Sequence, residues 1–355
     1  MNNPIILIQK DNQQLSSGRW QSFSKRWHEL ASESGIKTSE IDVFSDTRDW
    51  FNELNQCDAF MWWFAQPLPL IRSGRNIILA LAHARKILTF PNFNTIWHFD
   101  DKRSEYYLLK LAGIPTPRSW VFWRRKQAEN FVEEADFPLV MKLSSGIVSH
   151  NVALVRNIKE ARRSIRELFG AGMYGFPPEK IPFRWLARRI RESFRILLAQ
   201  ESYDEFHKGY VLFQEFLLDN AFDIRITIIG NRAFAFRRFN RPNDFRASGS
   251  GRIDWDPAYI PTDALLLAYQ AARILETQSL AVDILRREGE PVIAEISYYY
   301  EGWAIEACPG HWEWPSDQDL PEWVDGKTRP EDAIWEDFID KLGIQHSAPI
   351  GNLLL

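Results

Sequence analysis

Cysteine is scarce in this chain, which has only Cys57 and Cys308 among its 355 residues. Two cysteines cannot form a disulfide framework, and this favours a protein of the reducing cytoplasm. The sequence also lacks a long apolar run. The N-terminal run Ile5–Ile8 falls far short of the roughly 20 residues that a membrane-spanning helix needs. We therefore expect a cytoplasmic protein.

A strong charge of either sign is missing as well. Lys and Arg total 43 and Asp and Glu total 47, which leaves a formal net charge of -4. Because proteins that bind nucleic acid usually carry a basic patch, this balance predicts no nucleic-acid partner. The composition is 45% hydrophobic and 25% charged, as expected for a globular protein with a sizeable core.

Strand-like and helix-like segments alternate at the start of the chain. Buried strands are predicted at Pro4–Gln9 and Ile41–Phe44, with a helix between them. This alternation predicts a parallel sheet, and the length suits two or three packed units. We place the unit boundaries at residues 1–95, 96–209, 210–340 and 341–355.

Residues 170–209 have the character of an insertion in the second unit. The segment begins with Gly and Pro and continues into a predicted amphipathic helix. Four arginines at helical spacing form one stripe on it: Arg184, Arg188, Arg191 and Arg195. Aligned like charges repel each other. The stripe therefore predicts either an anionic partner, such as a glycan, a nucleotide-linked sugar or a membrane surface, or a solvated face neutralised by acids from elsewhere in the fold.

Lys142 ends a predicted strand, and the short polar loop 143–151 follows it. Small residues such as Ser145 and Gly146 leave backbone N–H groups available to oxygen ligands, and a lysine adds a point charge. The pattern predicts a phosphate site. A surface lysine beside an ordinary turn is the alternative.

Asp283 and Glu295 lie on the two arms of a predicted hairpin, each among apolar residues. Burying a carboxylate in such a strand is costly, and two neighbouring carboxylates repel each other. A magnesium ion would resolve both problems, because it prefers hard oxygen ligands and bridges ATP phosphates. The alternative is that both side chains point to solvent from an edge strand.

Two further polar segments precede that hairpin. Asp223–Arg225 begins a predicted strand soon after Gln214–Phe216. The loop Asn243–Arg252 combines glycines, small hydroxyl side chains and arginines, which suits a loop that grips an anion. An ordinary flexible loop is the alternative for this segment.

The order of these segments resembles the ATP-grasp superfamily, and most closely its RimK-like branch of ribosomal-protein glutamate ligases. The resemblance covers about residues 90–310. It rests on seven segments in the right order: Asp101–Lys102, Gly113–Pro117, Phe137–Lys142, Gln214–Phe216, Asp223–Arg225, Asp244–Arg246, and Val282–Leu285 followed by Glu295. The implied fold class is α/β, with two α+β subdomains that grip ATP and an N-terminal Rossmann-like domain before them.

For the nucleotide, the resemblance implies phosphate binding by the two lysines and the loop between the strands. It implies adenine contacts at the hinge between the subdomains and a ribose contact further along. The residues concerned are Lys102, Lys142, Ser145 and Gly146 for the phosphates, Glu215, Phe216 and Leu217 for adenine, and Asp223 for the ribose.

For the chemistry, the resemblance implies that Asp283 and Glu295 bind Mg²⁺. Arg225 and Arg246 would steady the phosphate and the acyl-phosphate. The family usually has Asn two residues after the metal-binding Glu, whereas this chain has Ser297, whose hydroxyl can still ligate magnesium. The phosphate loop is also poor in glycine, so we expect it to close differently from the family's loop.

The chain also resembles an uncharacterised bacterial ATP-grasp group with segments like Trp97–Lys102, Asn243–Gly251 and Cys308–Trp312. The implied activity is an ATP- and Mg²⁺-dependent ligase that joins a carboxylate to an amine, or to a thiol, through an acyl-phosphate. Surface-glycan, small-molecule or peptide modification is the expected setting, and a homodimer is the default assembly. A kinase using the same site, or a nucleotide-binding regulator without turnover, remains the alternative. We expect Cys308 to lie in a turn and not to act as a nucleophile.

Overall fold

A computed structural model describes residues 4–11, 13–14, 20–47, 49–65, 68–146, 151–176, 205–316 and 320–343 of the chain. The arginine stripe of the insertion, Arg184 to Arg195, lies outside the described residues, as do His150 of the phosphate loop and the end of the chain from 344 onwards. Within the described ranges, no helix is long and apolar enough to cross a membrane.

The first unit is built on a parallel sheet with the strand order β4-β1-β5-β6, which confirms the predicted parallel α/β start of the chain. Its strands and the small hairpin β2–β3 are β1 Ile6–Gln9, β2 Gln13–Gln14, β3 Trp20–Gln21, β4 Thr38–Ile41, β5 Ala59–Met61 and β6 Leu88–Phe90. Its helices are α1 Phe23–Glu33, α2 Trp50–Gln56, α3 Leu68–Ala80, with a π-helical turn at Leu81–Arg85, and α4 Phe93–Ile96.

The strand predicted at Ile41–Phe44 was placed three residues too late, since β4 ends at Ile41. The chain leaves the sheet there because the Val43 N–H donates to the side chain of Gln9 at 2.9 Å.

A buried carboxylate organises the start of α1. The Asp11 carboxylate accepts the N–H groups of Phe23 and Ser24 at 3.1 and 3.0 Å. The N-terminus of this helix, a common anion site, is therefore filled by the protein's own carboxylate.

The second sheet is antiparallel, with the order β7-β10-β8-β9. Its strands are β7 Ser119–Phe122, β8 Leu139–Lys142, β9 Val152–Val155 and β10 Val211–Glu215. The helices of this unit are α5 Lys102–Leu111, α6 Arg125–Glu134 and α7 Ile158–Phe169. Helices α6 and α7 bury apolar faces against the sheet and form a core of their own with Met141 and Phe213.

The third sheet has seven strands in the order β15-β14-β11-β12-β16-β17, with β13 paired to β12. Its strands are β11 Phe222–Ile229, β12 Arg232–Phe239, β13 Ile253–Asp254, β14 Ser279–Arg287, β15 Glu290–Ser297, β16 Gly310–Glu313 and β17 Glu322–Asp325. The helices are α8 Thr262–Ile274, α9 Gly302–Glu306 and α10 Pro330–Lys341, with a 3₁₀ turn at Pro257–Tyr259. A tight turn at Gly230–Asn231, a favoured residue pair for hairpin turns, joins β11 to β12.

Two connections decide where these sheets meet. Leu109 of α5 is buried in the core of the third sheet, so this helix bridges the second and third sheets. Tyr298 and Tyr300, just after β15, are buried in the core of the first unit, which α10 also joins. The end of β15 is therefore held between the first and third units, with the second sheet facing it across a cleft.

Candidate nucleotide and metal site

Two buried lysines from the second unit reach the edge strand β15 of the third sheet. The Lys102 Nζ lies 3.2 Å from Glu295 Oε1 and 3.4 Å from the carbonyl of Gly146. The Lys142 Nζ donates to the carbonyl of Ala294 at 3.0 Å. Lys142 is only 8% exposed, so the alternative of a surface lysine is wrong. Both ammonium groups lie where the second and third sheets meet.

The pKa values of the two lysines shift in opposite directions because their surroundings differ. Burial disfavours the charge of Lys102, but Glu295, Glu105 and Asp100 outweigh it and raise the pKa of this lysine. Burial dominates at Lys142, where the neighbouring Lys102 adds repulsion and the pKa is lowered. An arriving anion would therefore favour the charged form of Lys142 as well as pair with it.

Glu105 is a member of this cluster that sequence reasoning missed. It is 6% exposed. Burial raises its pKa to about 8 although Lys102 and Lys142 oppose the shift. The charge of Glu105 is therefore coupled to the charges of the two lysines, and the three side chains form one electrostatic cluster. The signal in the sequence was an acid three residues after Lys102 on the same helical face as the buried Leu109.

The cleft between the two sheets continues away from the lysines as a narrow slot. Its free volume is about 30 Å³, so a nucleotide can enter only if the sheets move apart. Apolar and hydroxyl or amide side chains line it together. The lining residues besides the lysines and Glu105 are Tyr106, Leu109, Thr116, Ser119, Leu212, Gln214, Ile293 and Ala294.

The predicted hinge lies at the end of β10. The Glu215 carboxylate accepts the N–H and the Nε–H of Arg118 at 2.7 and 2.6 Å, and Arg287 of β14 lies 3.4 Å away. Burial opposes ionisation, but the Arg118 hydrogen bonds hold the pKa of Glu215 below its usual value. The Glu215 N–H already donates to the Arg118 carbonyl at 2.8 Å. A backbone contact from Glu215 to a base must therefore use its carbonyl.

The residues after Glu215 lead towards the loop of the third unit. The ring of Phe216 packs edge-on against Phe245, with centroids 5.5 Å apart. Leu217 follows in an irregular segment before β11 and is partly buried. Phe216 and Leu217 thus lie between the hinge strand and the predicted anion-gripping loop.

A row of alternating charges runs across one face of the third sheet. Register places Asp223 opposite Arg238, Arg225 opposite Asp283, and Asp283 opposite Glu295. Arg238 binds Asp223 through two hydrogen bonds of 2.7 Å and reaches Asp283 at 2.7 Å. Arg225 binds the other side of Asp283, with one contact at 2.9 Å. Arg238, which sequence reasoning did not select, therefore joins Asp223 to Asp283.

The two aspartates respond differently to the same burial. Burial alone would raise the pKa of Asp283, but Arg225 and Arg238 outweigh it and lower the pKa. At Asp223 burial prevails over Arg238, and the pKa is raised. Asp283 therefore stays ionised at neutral pH, in a position opposite Glu295.

The metal donors predicted from the sequence are brought together in part. Asp283 and Glu295 are cross-strand neighbours on β14 and β15, and Asp283 is only 8% exposed, so it does not point to solvent. The Ser297 hydroxyl donates to the Tyr299 carbonyl at 2.9 Å. No group of three or more His, Cys, Asp or Glu that could hold a metal occurs among the described residues. The donor set fits a magnesium ion shared with phosphate oxygens better than an ion held by protein alone.

The phosphate loop begins with four described residues, Leu143 to Gly146. The Gly146 N–H donates to Asp100 at 2.8 Å. Gly146 has φ 140°, and a Cβ there would lie 2.8 Å from the Cβ of Asn151. The single glycine of the loop is therefore required both by its backbone conformation and by this close approach.

Side chains replace the missing glycines in shaping this loop. The Ser144 N–H donates to the Tyr210 hydroxyl at 2.7 Å, and that hydroxyl lies 2.9 Å from Nδ1 of His207. The Nε2 of His207 lies 3.5 Å from the Ser145 hydroxyl. The Ser144 hydroxyl donates to Glu205 at 2.9 Å. We call Glu205, His207 and Tyr210 the loop clamp.

The charge state of His207 suits this clamp. Burial lowers its pKa to about 4, so the ring is neutral at pH 7. The Tyr210 hydroxyl accepts the Ser144 N–H and has its own proton left for Nδ1, which places the ring proton on Nε2 towards Ser145. Ser144 and Ser145 are thus both held through one histidine.

Arg246 contacts the start of β9, just after the loop. Its guanidinium binds the carboxylate of Asp244, with the shortest contact at 2.6 Å, and reaches the carbonyl of Val152 on β9 at 3.4 Å. The loop 243–252 of the third unit therefore touches the strand that follows the phosphate loop. Arg225, in contrast, is engaged with Asp283, so the two arginines predicted to act together have different partners.

Cys308 is 2% exposed, and burial raises the pKa of its thiol to about 12, so it is poorly suited to act as a nucleophile. This agrees with its expected structural role.

Comparison with known structures defines the class of the fold. D-cycloserine synthetase DcsG aligns with a TM-score of 0.55 at 15% identity, over 94% of this chain and 99% of that chain. The N5-carboxyaminoimidazole ribonucleotide synthetase from Thermotoga maritima aligns with a TM-score of 0.53 at 16% identity, over 86% and 72% of the two chains. The MgADP complex of the 2-oxoglutarate carboxylase biotin carboxylase domain from Hydrogenobacter thermophilus gives 0.51 at 13% identity, over 84% and 64%.

The chain therefore has the ATP-grasp fold, preceded by a Rossmann-like unit. Residues 99–171 match the family model of the RimK-like ATP-grasp domain, which confirms the resemblance found in the sequence. A search of curated protein sequences finds no match.

Proposed function

We propose that this protein is an ATP- and Mg²⁺-dependent ligase that joins a carboxylate to an amine, or to a thiol, through an acyl-phosphate. The observation that carries the proposal is the convergence of Lys102 and Lys142 on β15 beside the Asp283–Glu295 pair. Two cations and two carboxylates at the mouth of one cleft suit a metal-bound polyphosphate.

In this proposal the adenine occupies the slot between the second and third sheets. Leu109, Leu212 and Ile293 offer apolar contact to its ring, and Gln214 and Ser119 offer polar groups at its edge. The carbonyl of Glu215 accepts a hydrogen bond from the exocyclic amine, and the backbone of Leu217 binds a ring nitrogen. Phe216 holds this segment in place. Asp223 serves the ribose. The phosphates then extend to the lysines, Ser145 and Gly146.

The metal would bind between Asp283 and Glu295, with Ser297 as a further oxygen donor. A bound Mg²⁺ would supply positive charge that offsets the charge of the phosphates. Glu295, which pairs with Lys102, would help to hold the ion, and Lys102 would bind phosphate. Asp283 would keep one arginine, which holds its carboxylate in a fixed direction.

In the transfer step, an oxygen of the substrate carboxylate attacks the γ-phosphorus and ADP leaves, so that an acyl-phosphate forms. An amine then attacks the acyl carbon, inorganic phosphate leaves, and the amine gives up a proton. Lys102 and Lys142 stabilise the phosphates by charge, and Arg225 and Arg246 stabilise the transferring group and the acyl-phosphate. The loop clamp holds Ser144 and Ser145 in place beside these oxygens.

Release of ADP from ATP and Mg²⁺ tests this proposal when carboxylates and amines are supplied as pools, singly and together. A ligase releases ADP only when both pools are present. Release with one pool indicates the alternative of a kinase, and nucleotide binding without release under any condition indicates a regulator. Either of the last two results overturns the ligase assignment.

A further inference from the structure

A second groove lies away from the nucleotide cleft, between the first unit and the C-terminal helices. It encloses about 360 Å³, within the range of small-molecule sites. Helix α1 and the residues just before it form one wall, and α9 with the start of α10 forms the other. The lining residues are Gln21, Ser22, Lys25, Arg26, Glu29, Gly302, Trp303, Glu306, Arg329 and Glu331.

Two polar atoms of this groove lack a hydrogen-bond partner among the described residues. They are Nε2 of Gln21, a donor, and Oε2 of Glu331, and both atoms are buried. Glu331 is only 9% exposed. A buried polar atom without a partner costs free energy, and such atoms are rare in folded proteins. A donor and an acceptor that line one groove without meeting each other point to a molecule that bridges them.

The Gln21 side chain is held in place by the backbone opposite. Its Oε1 accepts the Gly302 N–H at 2.9 Å, which turns Nε2 away from that contact. A Cβ at Gly302 would lie 3.2 Å from Pro330 and 3.4 Å from the Gln21 amide oxygen, so only glycine permits this close approach without displacement. The Nε2–H donor of Gln21 therefore has a fixed position in the groove.

The charges around the groove are balanced. Lys25, Arg26 and Arg329 face Glu29, Glu306 and Glu331, three of each sign. Arg26 is already paired with Asp332 at 2.8 Å, and Arg329 lies 3.6 Å from Glu306 at an exposed position. Burial raises the pKa of Glu331 to about 7, with Glu306 and Asp332 adding to the shift. A cation beside Glu331 would relieve the cost of its charge.

We propose that this groove binds a compact zwitterion of the α-amino-acid type. Its ammonium group pairs with Glu331, and its carboxylate accepts the Gln21 Nε2–H and faces Lys25. A purely anionic ligand would meet Glu331 and Glu306, and a purely cationic one would leave the Gln21 donor without an acceptor. The site does not depend on the proposed ligase activity. If that activity holds, the zwitterion is either the amine substrate or an effector.

The test is isothermal titration of the full chain with individual L-α-amino acids at millimolar concentration. The matched simple amines and simple carboxylates serve as ligands that lack one of the two charges. Saturable binding of at least one amino acid, and none of its single-charge analogues, is the expected result. Absence of saturable binding by every amino acid overturns the proposal.

Three variants locate the binding. Glu331→Gln removes the charge that pairs with the ammonium group, and we expect about tenfold weaker binding or worse. Gln21→Glu keeps the acceptor for Gly302 but replaces the donor with a carboxylate, and binding should also fall about tenfold. Glu322→Gln, at an exposed position on β17, is the control and should bind like the parent. Circular dichroism and the Tm check that each variant is folded.

Equal affinity in all three variants places the amino acid elsewhere and overturns the proposal. Loss of binding in Gln21→Glu alone, with its Tm unchanged, still supports the site if Glu331→Gln fails to fold. Mass spectrometry after addition of ATP and Mg²⁺ separates the two roles, because a substrate appears in a new product and an effector does not. A chain that binds the amino acid but never releases ADP contradicts the ligase proposal and leaves this site standing.

Discussion

Asp283 has more charged neighbours in the structure than its position in the sequence suggested. Arg225 and Arg238 both bind it, and Glu295 lies opposite it on the next strand. Such a buried network is costly to break, because removal of one partner leaves an uncompensated charge. The same arrangement keeps the carboxylate ionised and directed, which a metal ligand requires.

We expect Asp283→Asn and Glu295→Gln each to lower Mg²⁺-dependent ATP turnover by about 100-fold or more, because each removes a charged ligand of the metal. The initial rate of ADP release at saturating ATP measures this effect. Asp263→Asn, at an exposed ion pair with Arg286 on the same sheet, is the control and should retain parental turnover. Near-normal turnover in both test variants would falsify the metal assignment.

Lys142 offers a sharper test of phosphate binding. Lys142→Ala should weaken ATP binding by about tenfold or more, because a charge-assisted contact to phosphate is lost. Adenosine has no phosphates and should bind the variant and the parent equally. Titration calorimetry with both ligands gives the comparison, and Lys159→Ala on the exposed face of α7 serves as the control. Unchanged ATP affinity in Lys142→Ala would place the phosphates elsewhere.

The loop between β8 and β9 owes its shape to its neighbours more than to its own composition. Tyr210 and His207 precede β10, and they contact the loop at Ser144 and Ser145. Arg103 of α5 stacks over the Tyr210 ring at 4.7 Å. The loop, α5 and β10 are therefore fixed relative to one another, which positions Lys102 and the loop backbone together.

Removal of one hydroxyl should loosen this arrangement. Tyr210→Phe deletes the acceptor of the Ser144 N–H, at a cost of about 1 kcal/mol in the free energy of unfolding. We expect a Tm decrease of a few degrees and an increase of several-fold in the KM for ATP, with a smaller effect on kcat. Tyr259→Phe, at an exposed tyrosine of the 3₁₀ turn Pro257–Tyr259, is the control. An equal KM in Tyr210→Phe and the parent would mean that the clamp has no effect on nucleotide binding.

Taken as a whole, the molecule joins its three units through polar groups as well as apolar cores. Tyr298 links the end of β15 to the first unit, because its hydroxyl donates to the Trp62 carbonyl at 3.3 Å and accepts the Phe64 N–H at 3.2 Å. His98, at the junction of the first two units, is fully buried, and burial beside Arg75 lowers its pKa to about 3. A structural change in one unit therefore affects the units that it contacts.

These buried histidines predict sensitivity to acid. The folded pKa values of His98 and His207, about 3 and about 4, lie below the ordinary 6.5. The unfolded chain therefore binds more protons, and stability falls as the pH drops from about 6.5 towards those values. We expect the Tm to decrease over this range, and His207→Gln to show a shallower decrease than the parent. His83→Gln, at an exposed position, should follow the parental curve. Identical slopes in all three proteins would exclude a contribution from His207.

Much of the fold was encoded locally. The alternation of strands and helices, the Gly230–Asn231 turn and the ordered ATP-grasp segments could be read from the sequence, because periodicity and turn chemistry act over a few residues. The pairing of Asp283 with Glu295 also followed from the hairpin pattern. These features depend on neighbours along the chain, and only the exact strand ends, as at Ile41, depended on a distant side chain.

Tertiary structure alone decided the remaining features. Arg238 joins Asp223 to Asp283 only because β14, from a later part of the chain, lies beside the β11–β12 hairpin. Glu105 enters the cleft because α5 packs against β15, and His207 supports the phosphate loop from 62 residues away. Charge and hydrogen bonding between such groups depend on distances of a few ångströms that folding creates, so local patterns in the sequence do not determine them.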